Sequence, residues 1–333
     1  MYNMTMKQPL VSIIIPVYNV SELLPNCLGS LKDQTYQSIQ IIIIDDGSTD
    51  NSGNLCDSFA KEDSRVVVKH QNNAGLSAAR NAGLDIATGD YVFFLDSDDY
   101  LAKDCLEYLV SLAKSSVSPI AVCSHFEQRS SKDLRDFNSG AKSENLSVEQ
   151  ALKNMLNEHG FNLQVTPKLF SRSLFESTPK IRFPKGKLHE DVGTTYRLFL
   201  RAYDNNPEAT IAYGVEPKYY YTIRENSITN RNFDPKKLDL ISQTDEMCDA
   251  IETVFPTLKN VTNLRRLHAR FSILRQAKTA RYQSPCITYI KEHKSWITKN
   301  PEATKRDKLA LASLMLGKTP FKIAWRTYEL FFK

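Results

Sequence analysis

Apolar residues in the first hundred positions fall into four short runs that polar segments separate. The runs are VSIIIPVYN (11–19), IQIIIIDDGS (39–48), RVVVKH (65–70) and YVFFLD (91–96). Runs of this length, bounded by turn residues, predict strands. The second run has four isoleucines without polar alternation, which indicates a strand buried on both faces of a sheet.

The intervening segments have the spacing of helices. Residues 21–34 have apolar residues three and four positions apart, and 50–61 and 75–87 also predict helices. Ser21 is the expected N-cap of the first helix, and Pro25 lies early enough in it to be tolerated. Strand and helix alternate, so we expect an α/β fold with a mostly parallel sheet flanked by helices.

Polar residues cluster where the predicted strands end. Tyr18 and Asn19 follow the first strand, Asp45 and Asp46 the second, and the DSDD segment (96–99) the fourth. Ligands of parallel sheets bind at the carboxyl ends of the strands, so these side chains predict a binding site.

The three aspartates of DSDD repel one another unless a cation neutralises them or some of them are protonated. A magnesium site uses one or two carboxylates together with substrate phosphates, so this segment suggests a metal that carries a diphosphate. A calcium loop is disfavoured because Leu101 stands where that loop needs glycine. A dinucleotide site is disfavoured because PVYNVSELL, and no glycine-rich fingerprint, follows the first strand.

The segments from VSIIIPVYN to DDGSTDNSG, and NNAGLSAARNAGLDIATGDYVFFLDSDD, closely resemble the nucleotide-sugar domain of family 2 glycosyltransferases, which have the GT-A fold. The likeness is dense over 10–110 and looser to about 230, through KLHEDVGTTYRLFLRA and KYYYTIRENSIT. It implies a catalytic domain over 1–230, followed by a helical, basic extension over 231–333. It further implies transfer of a sugar from a nucleotide sugar, of the UDP class, to a saccharide or lipid-linked acceptor in cell-surface polysaccharide synthesis.

The resemblance also implies roles for individual residues. Those assigned to the nucleotide sugar are Pro16, Val17, Tyr18, Asp46, Asn73, Arg80, Asp96 and Ser97. Asp98, with Asp96, is assigned to Mn²⁺ or Mg²⁺, although Asp99 leaves that assignment uncertain by one position. A turn cap is the structural alternative for Asp46, and a surface helix charge is the alternative for Arg80.

The family's acidic pair corresponds to Glu190 and Asp191 in KLHEDVGTTYRLF, which we expect to open a helix. The resemblance implies that Asp191 is the general base of an inverting displacement and that Glu190 is its neighbour or an acceptor contact. A carboxylate at a helix N-terminus is also favourable on electrostatic grounds alone. The roles of His189 and Arg224 stay open.

The net charge of the chain is +5, but the charged residues are unevenly distributed along it. Residues 259–333 hold 17 Lys/Arg and only 4 Asp/Glu. Such a basic region favours an anionic partner, either lipid headgroups or nucleic acid, or it is simply a solvated helical surface. No nucleic-acid-reading module accompanies it, so we expect no nucleic-acid partner.

In the last segment, Phe321, Trp325, Tyr328 and Phe332 recur on one predicted helix face beside basic residues. Such a face suits a membrane surface, and packing onto the protein is the alternative. The run LALASLML (309–316) is too short to cross a bilayer, and Gly317 and Thr319-Pro320 predict a break between two helices.

Six scattered cysteines without a CxxC pair, together with an N-terminus lacking a signal pattern, favour a cytoplasmic enzyme, peripheral at the inner face of the membrane. A homo-oligomer is left open. A nucleotidyltransferase and a non-catalytic nucleotide-sugar-binding subunit are the competing functions. The first lacks its glycine-rich loop, and the presence of both DSDD and HED argues against the second.

Overall fold

The computed structural model describes residues 8–128, 143–223 and 233–332, and in the last helix it describes side chains to Trp325 and that of Thr327. The chain divides into two compact units, Met1–Thr229 and Asn230–Lys333. Arg224 and positions 129–142 lie outside the described residues.

The described part of the first unit contains nine strands, joined in one sheet. They are β1 (Val11–Val17), β2 (Ile39–Asp45), β3 (Val66–His70), β4 (Tyr91–Phe94), β5 (Tyr100–Leu101), β6 (Ile120–Gln128), β7 (Glu144–Ser147), β8 (Lys168–Ser171) and β9 (Thr210–Thr222). The four strands predicted from the sequence are therefore present.

The sheet order is β3-β2-β1-β4-β8-β6-β9-β5, and β7 pairs with β9. The first four strands are parallel, as predicted. Beyond β4 the sheet is mixed, because β8 runs antiparallel to both β4 and β6, and β9 runs antiparallel to β5 and β7 but parallel to β6. The mixed half comes from the region after residue 100, where the strand–helix alternation of the sequence stops.

Seven helices of the first unit lie in its described residues. They are α1 (Leu24–Lys32), α2 (Ser52–Glu62), α3 (Leu76–Ile86), α4 (Cys105–Ser115), α5 (Val148–Leu156), α6 (Ser173–Glu176) and α7 (Thr195–Asn205). The isoleucines of β1 and β2 are buried, which confirms the interpretation of a strand covered on both faces. Ser21 is not the cap of α1; Leu23 occupies that position, and the Ser21 amide donates to Asp50 instead.

The second unit consists of helices in its described part. They are α8 (Asp239–Val254), α9 (Lys259–Gln276), α10 (Ala280–Glu292), α11 (Lys294–Lys299), α12 (Lys305–Leu316) and α13 (Lys318–Phe332). Gly317 ends α12 as predicted, with a φ of 130°. α13 begins at Lys318, one residue before the cap expected at Thr319. Across the described residues, no helix is both long and apolar enough to cross a bilayer.

The aromatic face of α13 packs within its own unit. Phe321 is 2% exposed and stacks on Phe271 with ring centroids 5.5 Å apart, and Trp325 lies 5.9 Å from the same ring. At these two positions the aromatic stripe belongs to the protein core, because Phe271 supplies an apolar partner. The side chains of Tyr328 and Phe332, and those of Arg326 and Lys333, lie outside the described residues.

Candidate functional site

The carboxyl ends of β1, β2 and β4 lie side by side at one edge of the sheet. In the parallel register Val17 pairs with Asp45, and Ile14 pairs with Phe94. The polar segments that follow these strands therefore emerge next to each other, as expected for a parallel sheet.

The centre of this edge is the guanidinium of Arg80, which extends from α3. It donates to Asp96 at 2.9 Å, to Glu190 at 2.8 Å and to Asp191 at 2.9 Å. The Arg80 side chain is only 2% exposed, so it is not a surface helix charge. One buried cation thus gathers three carboxylates from two distant parts of the chain.

The surroundings of Arg80 favour its position beneath these carboxylates. Its guanidinium lies 5.2 Å from the ring of Phe183 and 6.0 Å from that of Phe94. Burial disfavours the charge, but the carboxylates of Asp191, Asp96 and Glu190 outweigh burial and raise the pKa of Arg80. Arg80 therefore stays charged, and the aromatic rings fix where that charge lies.

The next residue of α3, Asn81, fastens the segment that leads to the acidic pair. Its side-chain amide donates to the carbonyl of Phe183 at 2.9 Å, and its oxygen accepts from the Phe183 amide at 2.8 Å. α3 therefore holds the 183–191 segment at two neighbouring points. Sequence reasoning missed Asn81, because an asparagine in a helix gives no sign of a partner 102 residues away.

Glu190 and Asp191 do not open a helix, in contrast to the expectation from the sequence. They lie in a turn in which the amides of Val192 and Thr194 donate to the carbonyls of His189 and Asp191, and α7 begins at Thr195. His189 has a φ of 61°, a left-handed conformation that is uncommon outside glycine. The carboxylates are therefore set by this turn and by Arg80.

The pKa of Asp191 is raised toward neutrality. Burial raises its pKa to about 7, Arg80 opposes that rise, and the nearby charges of Glu190 and Asp96 add to it. A carboxyl with this pKa is balanced between its acid and base forms near neutral pH, which suits proton transfer.

The three aspartates after β4 occupy different environments. Asp99 is 1% exposed, accepts from the Tyr219 hydroxyl at 2.6 Å and from the Thr222 amide at 2.8 Å, and fastens the turn to β9. Burial and the charges of Asp96 and Asp98 raise the pKa of Asp99 to about 8. Asp96 and Asp98 are partly exposed at the edge, and Ser97 between them is buried. Geometry therefore distinguishes the inward Asp99 from the other two.

The donor set of this turn fits a hard cation only with help from a ligand. In the described ranges, no group of three His, Cys, Asp or Glu side chains is arranged to hold a metal ion alone. Asp96 and Asp98 carry carboxylate oxygens of the kind that Mg²⁺ and Mn²⁺ accept as ligands. Burial raises the pKa values of Asp99 and Tyr221, and the charges of Asp96 and Asp98 add to that rise. Two carboxylates completed by phosphate oxygens match how proteins hold magnesium.

The residues predicted to contact the nucleotide are only partly accessible. Tyr18 is 51% exposed just beyond β1, whereas Pro16 and Val17 are buried in the strand. Asn19, which the sequence placed among the strand-end polar residues, accepts from the amides of Thr49 and Asp50 at 2.8 and 3.3 Å. This bond fixes the 48–50 turn next to Tyr18.

Asp46 is 3% exposed and holds the segment before α3. It accepts from the Gln71 side chain and from the amides of Ala74 and Gly75, at 2.7, 2.9 and 2.8 Å. The cap of the Gly47 turn is instead Asp45, which accepts from the Ser48 amide. Asp46 is therefore tied to the 71–75 segment, in which Asn73 is exposed.

Gly47 is required by this arrangement. Its φ is 74°, and a Cβ placed on it would lie 2.8 Å from the amide nitrogen of Asn73. Any side chain here would push the Asn73 segment away from the strand ends.

A surface cavity of about 790 Å³ lies at the other end of β4, lined by residues that include Asp90, Tyr91 and Arg172. It is remote from the carboxylates, because β4 runs from Tyr91 toward Asp96. The chemistry-bearing groups lie instead at the open carboxyl edge.

Comparison with known proteins identifies what this arrangement resembles. The family model described as "Glycosyl transferase family 2" matches residues 12–178. Glycosyltransferase GlyA of Streptococcus pneumoniae is 35% identical over 226 residues, covering 66% of this chain and 31% of that protein. A poly(ribitol-phosphate) beta-glucosyltransferase of Bacillus spizizenii is 31% identical over 222 residues, covering 65% of this chain and 32% of that protein. The chain thus spans about a third of the length of these two relatives.

Among solved structures, S. aureus TarS 1–349 in complex with UDP-GlcNAc superposes with a TM-score of 0.70. The match covers 96% of this chain and 92% of that one, at 18% identity, so it shows the fold. The predicted GT-A fold is confirmed by this likeness.

The buried ion cluster gives a prediction about stability. Replacing Arg80 by methionine keeps the apolar stem but leaves three carboxylates without their cation. We expect the free energy of unfolding, measured by urea denaturation, to fall by about 3–5 kcal/mol, the cost typical of removing one partner from a buried ion pair.

The matched control is Arg65→Met. Arg65 pairs with Asp63 at 2.7 Å, but its side chain is 22% exposed, so we expect a loss of about 0–1 kcal/mol. Equal losses in the two variants would contradict the central role assigned to Arg80.

Proposed function

Because the chain belongs to glycosyl transferase family 2, we propose that it transfers a hexosyl or N-acetylhexosaminyl group from a UDP-sugar to a saccharide or lipid-linked acceptor, with inversion, in cell-surface polysaccharide synthesis. The observation that carries the proposal is that Arg80 forms ion pairs with Asp96, Glu190 and Asp191 at the carboxyl edge of the sheet.

The proposed reaction is a single displacement. The acceptor hydroxyl oxygen attacks the anomeric carbon, the bond from that carbon to the diphosphate oxygen breaks, and the electron pair leaves with the diphosphate. Asp191 takes the hydroxyl proton, supported by its raised pKa. Arg80 orients Asp191 through the bond to Oδ1, and Glu190 raises the basicity of Asp191 through its own negative charge.

The proposed cofactor is Mn²⁺ or Mg²⁺, held by Asp98 and Asp96 jointly with the donor diphosphate. When bound, the cation neutralises the charge that grows on the departing diphosphate. The DSDD turn supports this proposal because it is negatively charged. The Asp96 and Asp98 carboxylates do not form a complete metal site among the described residues, and phosphate oxygens of the donor would complete the ligand set.

The proposed donor class rests on family likeness and on the exposed ring of Tyr18, which suits stacking against a base. TarS, the structural neighbour, was solved with UDP-GlcNAc. The role in cell-surface polysaccharide synthesis is supported by the poly(ribitol-phosphate) beta-glucosyltransferase relative, and the beta linkage in its name agrees with inversion of an α-linked UDP-sugar.

We also propose that the enzyme works at the cytoplasmic face of the membrane, as a peripheral protein. The six cysteines are buried and free, which agrees with a reducing compartment. The basic balance of 259–333 favours an anionic lipid surface, where a lipid-linked acceptor would be found.

A donor panel tests the proposed function. The protein is incubated with manganese and each common nucleotide sugar, with and without lipid-linked acceptor extract, and release of free nucleotide is measured. We expect release from one UDP-sugar, increased by the extract. If no nucleotide is released from any donor, the result would favour the non-catalytic binding subunit.

The cation proposal predicts that metal and nucleotide bind together. By calorimetry, we expect UDP to bind at least ~10-fold more tightly with manganese than with chelator, and Asp98→Ala to abolish that difference. Manganese alone should bind weakly, because the described residues offer no complete ligand set. Asp104→Ala, which alters a carboxylate paired with Lys218, is the control. Equal UDP affinity with manganese and with chelator would disprove the proposal.

The base proposal predicts a pH profile. A base must be deprotonated, so kcat/KM should rise with pH up to about 7 and level off above it. Asp191→Asn should lower turnover by ~10²–10⁴-fold and remove this rise, while donor affinity changes little. A variant that retains half the wild-type rate would identify another base, and Glu190→Gln would be measured next.

A further inference from the structure

Exposed apolar side chains are concentrated in the α12–α13 pair. Seven large apolar side chains are exposed in the described part of the chain, and four of them lie in these two helices. They are Leu309 at 53%, Met315 at 41%, Leu316 at 80% and Ile323 at 61% exposed. We call these four residues the aliphatic surface.

The aliphatic surface differs from the faces that form the core. In α12, Ala310, Leu311 and Leu314 are buried, whereas Leu309, Ala312 and Leu316 follow the spacing of the opposite face. In α13, Ile323 projects away from Phe321 and Trp325, which pack on Phe271. A helix that is apolar on both sides is normally buried on both sides. The composition of the aliphatic surface is therefore typical of a surface that contacts a second apolar environment.

The exposed charges of α12, and of those α13 side chains that the structure describes, are all lysines. Lys305, Lys308 and Lys318 are exposed, and Lys322 is half-buried. Between 303 and 328 the one acidic residue is Asp307, which is fully buried, caps α12 and pairs with His268 at 2.8 Å. Aliphatic side chains bordered by lysines, with no exposed carboxylate between them, match the boundary between the headgroups and acyl chains of an anionic bilayer.

We propose that the aliphatic surface and its lysines dock this protein on an anionic lipid bilayer, with Leu309, Met315, Leu316 and Ile323 entering the headgroup boundary. This rests on the proposed function, because it names the contact through which the enzyme would meet a lipid-linked acceptor. The aliphatic surface takes the place of the aromatic stripe that the sequence suggested as the membrane contact, because Phe321 and Trp325 pack in the core. A bilayer fits better than a protein partner because the exposed charges beside these residues are all lysines, and a surface of many phosphates attracts such charges.

The test is co-sedimentation of the full chain with vesicles of phosphatidylglycerol and phosphatidylcholine in equal parts, and with vesicles of phosphatidylcholine alone. We expect binding to the anionic vesicles that weakens with salt. Leu309→Glu combined with Leu316→Glu should lower the partition coefficient at least ~10-fold, because it removes the two inserting leucines and adds repulsive charge. Exchange of Lys305, Lys308 and Lys318 for glutamine should lower it by about fivefold for each lysine at low salt.

The matched control is the double variant Val67→Glu and Val117→Glu, which replaces two exposed valines of the first unit. It removes the same number of exposed apolar side chains, 45% and 90% exposed, and adds the same charge. We expect the control variant to sediment with anionic vesicles almost as wild type does. All variants are checked by circular dichroism, and sedimentation velocity is run without lipid.

Three results would overturn the proposal. The first is that wild-type protein does not sediment with anionic vesicles at low salt. The second is that the leucine and valine variants lose vesicle binding to the same extent. The third is wild-type self-association that the leucine variant abolishes, which would assign the surface to a second copy of the chain. Release of UDP from donor in solution is read separately, so failure of the docking surface and failure of the proposed transfer are distinguishable.

Discussion

The candidate site depends on the imbalance between one buried guanidinium and three carboxylates. Arg80 contacts Asp96, Glu190 and Asp191, and a single positive charge cannot neutralise all three. Burial raises the pKa of Asp191, Arg80 opposes that rise, and the charges of Glu190 and Asp96 add to it. The excess negative charge also leaves the edge near Asp96 and Asp98 attractive to a cation. A base and a metal site can thus arise from the same electrostatic arrangement.

The surrounding structure makes this arrangement rigid. α3 supplies Arg80 and, through Asn81, clamps the backbone of Phe183. The bond from Tyr219 to Asp99 fastens the DSDD turn to β9, and Asp46 fixes the segment that enters α3. Each tie is made by a buried polar side chain whose partners are satisfied, so loss of any one is costly. In the proposed transfer, groups placed on such supports would need little reorganisation.

The sequence predicts the parallel half of the sheet because four apolar runs and their polar ends are local signals. It also brings Arg80, Asp96 and Asp191 into one list of candidates, through the family motifs. It does not predict that Arg80 is buried beneath the carboxylates, because that depends on contacts 110 and 111 residues apart. For the same reason Tyr219 could not be selected from three adjacent tyrosines, and Phe321 and Trp325 could not be assigned to a core before their partner Phe271 was located.

The most direct test of the account is the pKa of Asp191 itself. Carbon-13 NMR of aspartate-labelled protein, with the resonance assigned through Asp191→Asn, would follow its carboxyl group across the pH range in the absence of ligand. The account predicts titration near a pKa of about 7 in the wild type, and a lower pKa in Glu190→Gln, which removes a neighbouring negative charge. An ordinary aspartate pKa of about 4 that the Glu190 substitution leaves unchanged would contradict it.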